Sequence, residues 1–228
     1  MNKELTPPAT VSTLLLKNVP LFATLPEDQL LLLTKVVSRE QFSKNQIIFS
    51  AGEKTEMLYV VISGRLKVAM GDDQGKEVVL AMLGPGEYFG EMALLDGGTR
   101  SASVIAVAAC ELLCLSKYEF TKFMENNFSM NMMLIRGLVK RLREADKKIS
   151  SLALMDVYGR VARLLLEMAE TIDGQRAIVK KIARKDIANM IGASREMVTR
   201  VMKDLETRGM IEIQTASIIL KDTLTEID

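Results

Sequence analysis

The sequence predicts an α+β chain in three parts: an N-terminal antiparallel β-roll, a long helix and a C-terminal winged helix-turn-helix. Three observations predict it. From about Gln46 to Leu115, short apolar runs alternate with glycine-rich turns. After Lys117 the apolar spacing changes to threes and fours. Between Lys185 and Gly209, one helical pattern, a glycine and a second helical pattern follow each other closely.

The chain opens with helix and connector. Leu25-Pro26-Glu27-Asp28 precedes a leucine-rich run from Leu30 to Val37. Pro26 fits the first helical position, where a missing N–H costs nothing, and Glu27 and Asp28 suit the positive end of the helix dipole. The strand candidates are Ile47–Phe49, Leu58–Ile62, Leu66–Met70, Val78–Leu83, Ser103–Val107 and Leu112–Leu115. Gly52, Ser63-Gly64, Gly71-Asp72-Asp73, Gly75 and Gly84-Pro85-Gly86 punctuate them, as in an antiparallel sandwich or barrel.

In the helical part, Ile135, Leu138, Leu142, Ala145, Ile149 and Leu152 form a heptad seam flanked by Lys140, Arg141, Arg143, Glu144, Lys147 and Lys148. Such a stripe is either the buried face of one globular domain or a dimer interface. The dense charge around it favours the dimer. Asp156 caps a further helix, Val157 to Glu170, closed by Asp173-Gly174. A hairpin of Met210–Ile213 and Ile218–Leu220, joined through Gln214-Thr215-Ala216-Ser217, supplies the wing. The expected domains are residues 1–128, 129–155 and 156–228.

Composition removes several chemistries. Of 228 residues, 48% are hydrophobic, and 30 Lys and Arg against 29 Asp and Glu leave a net charge of +1. Any nucleic-acid surface is therefore local. No histidine is present, which excludes serine–histidine catalysis, histidine-ligated haem and most zinc sites. The two cysteines, Cys110 and Cys114, lie in one apolar run and read as buried strand thiols; they are too few for a four-cysteine cluster. Neither a metal nor a haem is expected, and no nucleophile–base pair suggests an enzyme. Met1 to Val11 lacks a signal-peptide pattern, and the apolar stretches are too short to span a bilayer. The expectation is a cytoplasmic protein with no membrane partner.

The helix-turn-helix segment carries a possible reading surface. Asp186–Ile191 forms the first helix, Gly192 the turn, and Ser194 caps the second helix. Met197, Val198, Val201, Met202 and Leu205 form its apolar stripe. Arg195, Glu196, Thr199, Arg200 and Lys203 occupy the rest, and arginine and glutamate suit guanine and cytosine edges. From Arg176 to Arg208, nine Lys and Arg, among them Lys180, Lys181 and Arg184, stand against four Asp and Glu. The surplus of five positive charges fits a phosphate-facing surface. An ordinary solvated helix pair is the plainer alternative.

The β-rich part carries a possible ligand site. Gly90 lets backbone approach a ligand, and residues 90–95 start a short helix whose N–H groups can face an anion. Glu91 can accept from a ribose hydroxyl. Arg100 offers a bidentate fork to a phosphate and Ser101 a hydroxyl. The same residues could equally be a structural Glu–Arg pair closing a β-domain.

Ile191-Gly192-Ala193-Ser194-Arg195-Glu196-Met197-Val198-Thr199-Arg200 resembles the recognition motif of the cyclic-AMP receptor protein and fumarate–nitrate regulator family. Asp156–Ala162 resembles the opening of that family's DNA-binding domain. Phe89-Gly90-Glu91 with Arg100-Ser101-Ala102 resembles the phosphate-binding cassette of cyclic-nucleotide-binding, jelly-roll-like domains. The likeness spans about Val19 to Leu220.

The resemblance implies a homodimeric transcription regulator on double-stranded palindromic DNA, working with RNA polymerase where it activates. It implies a ligand set of Gly90, Glu91, Met92, Arg100 and Ser101, with Glu91 on the ribose and Arg100 and Ser101 on the cyclic phosphate. It implies DNA contacts from Arg184, Ser194, Arg195, Glu196, Thr199, Arg200 and Lys203, with Arg184 on phosphate. Arg195, Glu196 and Arg200 match the base-reading trio of the cyclic-AMP branch, hence a TGTGA-like half-site rather than TTGAT.

One departure stands out. Ala145 and Asp146 replace the threonine–serine pair that touches adenine in that branch. Cyclic AMP is the expected effector, with cyclic di-GMP or no nucleotide as rivals. A nucleotide-sensing subunit of another protein is the alternative class, and the Arg195–Arg200 motif argues against it. Replacing Arg100 by leucine is expected to abolish the nucleotide response and leave the fold intact.

Overall fold

The computed structural model describes residues 11–72, 77–172, 174–179, 182–215 and 217–226. Asp73, Gly75, Asp173, Lys180, Lys181, Ala216 and the segment before Val11, all used above, lie outside them. The chain divides into two compact units, residues 1–141 and 142–228.

The first unit begins with α1 (Thr13–Lys17) and α2 (Glu27–Val36). Pro26 is the cap residue of α2 and not its first helical residue, one position earlier than the sequence suggests, while Glu27 and Asp28 fill the first turn as expected. Next come β1 (Ser38–Phe42), β2 (Ile47–Phe49), β3 (Met57–Ser63), β4 (Leu66–Gly71), β5 (Glu77–Leu83) and β6 (Tyr88–Phe89). A short α3 (Glu91–Asp96) precedes β7 (Ser103–Ala106) and β8 (Cys110–Ser116). The strands form two antiparallel sheets in the orders β1-β8-β3-β6 and β2-β7-β4-β5.

Alternation along the strands builds two cores. In β3, Leu58 and Val60 face a cluster shared with Leu16, Leu30, Leu33, Phe120 and Met130. Tyr59 and Val61 face the space between the sheets with Phe49, Leu66, Phe89 and Val104. Side chains two apart share a face, so one strand serves both cores. In β8, Leu113 and Leu115 join the helix-side core, while Cys110, Leu112 and Cys114 join the inter-sheet core. Both cysteines are buried thiols, as expected at these strand positions.

Two strands of the first unit were not foreseen. β1 is Ser-Arg-Glu-Gln-Phe, too polar to stand out, and it is held by pairing to β8 and by an Arg39–Glu111 ion pair of 2.9 Å. β6 is only two residues long.

Helix α4 (Lys117–Asn126) is capped by Ser116, whose side chain accepts from the Glu119 N–H. α5 (Phe128–Leu154) follows, and the division between the units falls inside it. Met130 and Leu134 are buried in the first unit's core, and Leu138 packs half-buried against it.

The second unit contains α6 (Val157–Met168), capped by Asp156 as expected. The helix stops at Met168, not Glu170. Glu170 opens β9 (Glu170–Ile172), which pairs with β10 (Gln175–Ile178) in a hairpin missed in the sequence. α7 (Arg184–Ile191) and α8 (Arg195–Thr207) come next, then β11 (Ile211–Ile213), β12 (Ile218–Leu220) and a 3-10 turn, Asp222–Glu226. A third antiparallel sheet runs β11-β12-β10-β9. Val161, Leu165, Ile187, Val198, Met202, Leu205 and Ile218 form this unit's core. Among the described residues, no helix is long and apolar enough to cross a membrane.

Candidate functional site

Gly90 sits between β6 and α3 with φ +87°, a conformation that glycine adopts without steric cost. A Cβ there would meet Arg100 Nη1 at 2.5 Å and the Met57 carbonyl at 3.0 Å, so only glycine lets the chain pass this close. The next residue, Glu91, is 1% exposed, and Arg100 is 3% exposed. Two buried charged side chains in one loop-and-helix segment need partners.

Arg100 finds them in the protein itself. Its Nε donates to Thr55 Oγ1 at 2.6 Å, Nη1 to the Gly90 carbonyl at 2.5 Å and Nη2 to the Met57 carbonyl at 2.6 Å. These bonds use three of the guanidinium's five N–H groups. The group also lies 4.2 Å from the centre of the Phe49 ring, a cation–π distance. Burial lowers its proton affinity; the neighbouring Tyr59 and Glu91 oppose the shift. Behind it, Tyr59 stacks on Phe89 at 5.1 Å, and burial pushes the Tyr59 hydroxyl up to about 12.

Glu91 pairs with a different arginine from the one its spacing suggests. Its Oε1 accepts from Arg141 Nη1 of α5 at 2.5 Å, so the structural Glu91–Arg100 pair is replaced by a Glu91–Arg141 pair. Arg141 Nη2 also donates to the Tyr88 carbonyl, and its guanidinium lies 4.9 Å from the Tyr88 ring centre. The second carboxylate oxygen, Glu91 Oε2, is buried with no hydrogen-bond partner. A buried acceptor left open costs about 1–3 kcal/mol, so a ligand hydroxyl there gains more than at the surface. Ser101 and Met92 lie exposed at the edge of this segment, with Ser101 Oγ 3.9 Å from Met92 Sδ.

The structure therefore brings Gly90, Glu91 and Arg100 together and leaves Met92 and Ser101 at the rim. Sequence reasoning missed Thr55, Phe49, Tyr88 and Arg141 as neighbours of the site. Arg141 had a readable signal. Met130, Leu134 and Leu138 are four apart, and Arg141 continues that face.

The heptad positions divide. Leu142 and Ile149 are 62% and 64% exposed, and Ile135, Ala145 and Leu152 are also exposed. Leu138 is half-buried against the first unit's core.

In the second unit, α7 ends at Gly192, which takes the left-handed conformation (φ +66°, ψ 43°) that the turn between the helices requires. Ser194 then caps α8, its Oγ accepting from the Met197 N–H at 3.1 Å. Arg195, Glu196, Thr199, Arg200 and Lys203 are all exposed. Thr199 spends its donor on the Arg195 carbonyl at 2.8 Å. Arg184 is half-buried at the start of α7, and burial lowers its proton affinity, opposed by Glu206. Met197 departs from the expected stripe: it is exposed, while Val198, Met202 and Leu205 are buried.

Comparison with known proteins covers both units. Residues 39–127 match the cyclic nucleotide-binding domain, and residues 159–224 match the Crp-like helix-turn-helix domain. The chain is 35% identical over 187 residues to the cAMP-activated global transcriptional regulator CRP of Pasteurella multocida, covering 80% of this chain and 90% of that protein. It is 29% identical over 195 residues to a CRP-like cAMP-activated global transcriptional regulator of Mycobacterium tuberculosis, covering 84% and 87%. Among solved structures, the c-di-GMP responsive global regulator CLP of Xanthomonas campestris superposes with a TM-score of 0.71 at 27% identity, covering 82% and 94%. A nucleotide cassette, a helix-turn-helix and relatives alike along most of their length converge: the chain belongs to the Crp/Fnr family of DNA-binding, cyclic nucleotide-binding transcription regulators, which are not enzymes.

Proposed function

We propose that this chain works as a homodimeric regulator whose β-roll binds cyclic AMP and whose α8 reads a TGTGA-like palindrome. The observation that carries the effector half is the buried pair Glu91 and Arg100, with Glu91 Oε2 left without a hydrogen-bond partner. In this reading Glu91 takes the ribose hydroxyl. Arg100 gives its remaining N–H groups to the cyclic phosphate, and Ser101 adds a hydroxyl at the rim. Gly90 leaves room for the ligand's edge, and Met92 packs beside it. The names of the Pasteurella and Mycobacterium relatives support cyclic AMP.

A second reading has a specific basis. The solved Xanthomonas regulator is described as responsive to c-di-GMP, and Ala145 and Asp146 here lack the hydroxyl pair that the resemblance assigns to adenine.

The DNA half rests on the exposed set Arg195, Glu196, Thr199, Arg200 and Lys203, with Ser194 shaping the helix start and Arg184 on phosphate. Palindromic DNA calls for two copies, and the exposed apolar seam of α5 supplies their contact. RNA polymerase is the further partner where the protein activates. The domains assigned are residues 1–128, 129–155 and 156–228, and the expected compartment is the cytoplasm.

The test is calorimetric titration of the purified chain with cyclic AMP, cyclic GMP and cyclic di-GMP, followed by a gel shift on a TGTGA palindrome with the best binder. Tight binding of cyclic AMP that tightens the DNA complex supports the first reading. Preference for cyclic di-GMP supports the second. A shifted palindrome with no nucleotide binding overturns the effector assignment alone.

A further inference from the structure

We propose that Met197 reads the C5-methyl group of a thymine in the operator half-site, as an apolar contact within a charged reading face. The inference rests on α8 being the helix that enters the major groove.

By sequence Met197 belongs with the apolar stripe of α8, but the structure separates it. Val198, Met202 and Leu205 are fully buried in the second unit's core, whereas Met197 is 44% exposed. Its fold role is limited: its backbone N–H completes the Ser194 cap, a bond that any residue but proline could supply. The side chain is left on a surface whose other first-turn members are Arg195 and Glu196. Three residues on stands Arg200, a spacing that makes neighbours on a helix surface.

The position matters. A recognition helix presents its N-terminal turns to base edges. Met197 is the third residue of α8. Arginine and glutamate there have hydrogen-bonding partners on guanine and cytosine, but a thioether has almost no hydrogen-bonding capacity to offer. In the major groove one base presents an apolar group, thymine through its methyl. An unbranched side chain with three rotatable bonds and a polarisable sulfur can settle on that methyl without demanding one geometry.

The experiment uses the full-length protein and an operator selected by it from random duplexes, so it does not presuppose TGTGA. Each thymine of one half-site is replaced in turn by deoxyuridine, which deletes only the methyl group. The wild-type protein should lose about three- to five-fold in affinity at one position, the scale of one methyl group removed from an apolar contact. Met197→Ala should be indifferent to that replacement, and Met197→Leu should restore part of the sensitivity. A wild-type protein indifferent to every replacement overturns the proposal, as does a Met197→Ala variant with undiminished sensitivity. Weakening of Met197→Ala by the same factor on every duplex assigns the side chain to the sugar–phosphate backbone and overturns it too. Failure to enrich any duplex overturns the reading of α8 itself, and the proposal with it.

Discussion

The hydroxyl of Tyr88 occupies the space that a Cβ on Gly137 would need. It donates from there to the Leu134 carbonyl at 3.3 Å, so the last strand before the cassette is seated in a notch of α5. Tyr88 also offers its carbonyl to Arg141, which holds Glu91. Cassette and helix therefore meet at three consecutive turns, Leu134, Gly137 and Arg141.

Filling the notch should cost stability. Glycine to alanine inside a helix normally gains about 1 kcal/mol. Here Gly137→Ala should instead lose about 1–3 kcal/mol, because the tyrosine must move. Combining it with Tyr88→Phe should recover part of the loss. Urea unfolding followed by far-UV circular dichroism measures both, since the chain has no tryptophan. A net gain from Gly137→Ala alone would show that the notch is not filled.

Arg100→Leu is expected to do more than silence the pocket. It strands the Gly90 and Met57 carbonyls and the Thr55 hydroxyl, and should cost about 2–5 kcal/mol. That geometry adds a stability cost to the expected loss of the nucleotide response. Arg100→Lys keeps the charge but not the fork. It should retain more stability while still weakening nucleotide binding at least about ten-fold. Unfolding midpoints and calorimetric affinities, compared across the two variants, separate the roles.

Alkali should unfold the protein partly through Tyr59. Burial raises its folded value to about 12 from the ordinary 10. A raised value means that the folded state keeps its proton longer than the unfolded chain. The stability is fully present below pH 10 and is lost as pH rises from 10 toward 12. About 1–2 kcal/mol should disappear across that window. Tyr59→Phe, which keeps the stack on Phe89, should flatten this part of the pH profile. An equal slope in wild type and variant would assign the loss elsewhere.

Ser194 can be tested for two roles at once. Ser194→Ala removes the cap on α8 and should cost about 1 kcal/mol of stability. Ser194→Asp keeps a capping oxygen but adds negative charge on the face proposed to meet DNA. It should hold stability near wild type while weakening DNA binding, most at low salt. Equal loss of stability in both variants would remove the cap from the explanation.

Much of the fold was legible because the sequence obeys simple periods. The β-roll strands stood out wherever apolar residues alternated between glycine turns, and Met210–Ile213 with Ile218–Leu220 anticipated β11 and β12 closely. β1 was illegible because Arg39, Glu40 and Gln41 belong to a strand whose pairing, not its composition, defines it. The β9–β10 hairpin was hidden behind an amphipathic run that overshot by two residues.

The site was half legible. Gly90, Glu91 and Arg100 are close in sequence, so spacing offered them as a candidate set; a structural Glu–Arg pair fitted that spacing equally, and only the resemblance favoured a ligand. Arg141 lies 50 residues from Glu91, and only three-dimensional packing joins the two. Met197 was misplaced because it falls at the edge of the apolar arc, where periodicity alone cannot tell inside from outside.

Consider, finally, α5 as heritable material. Arg141 ties one side of the helix to Glu91, and Leu142, the very next residue, stands open to the surroundings. If a second copy covers Leu142 as proposed, natural variation in this stretch is judged twice. A change welcomed by the pocket can be rejected by whatever meets Leu142, and the reverse. Relatives that drift toward a new signal should accumulate paired replacements along Leu134 to Ile149, while the strands of the roll change one position at a time.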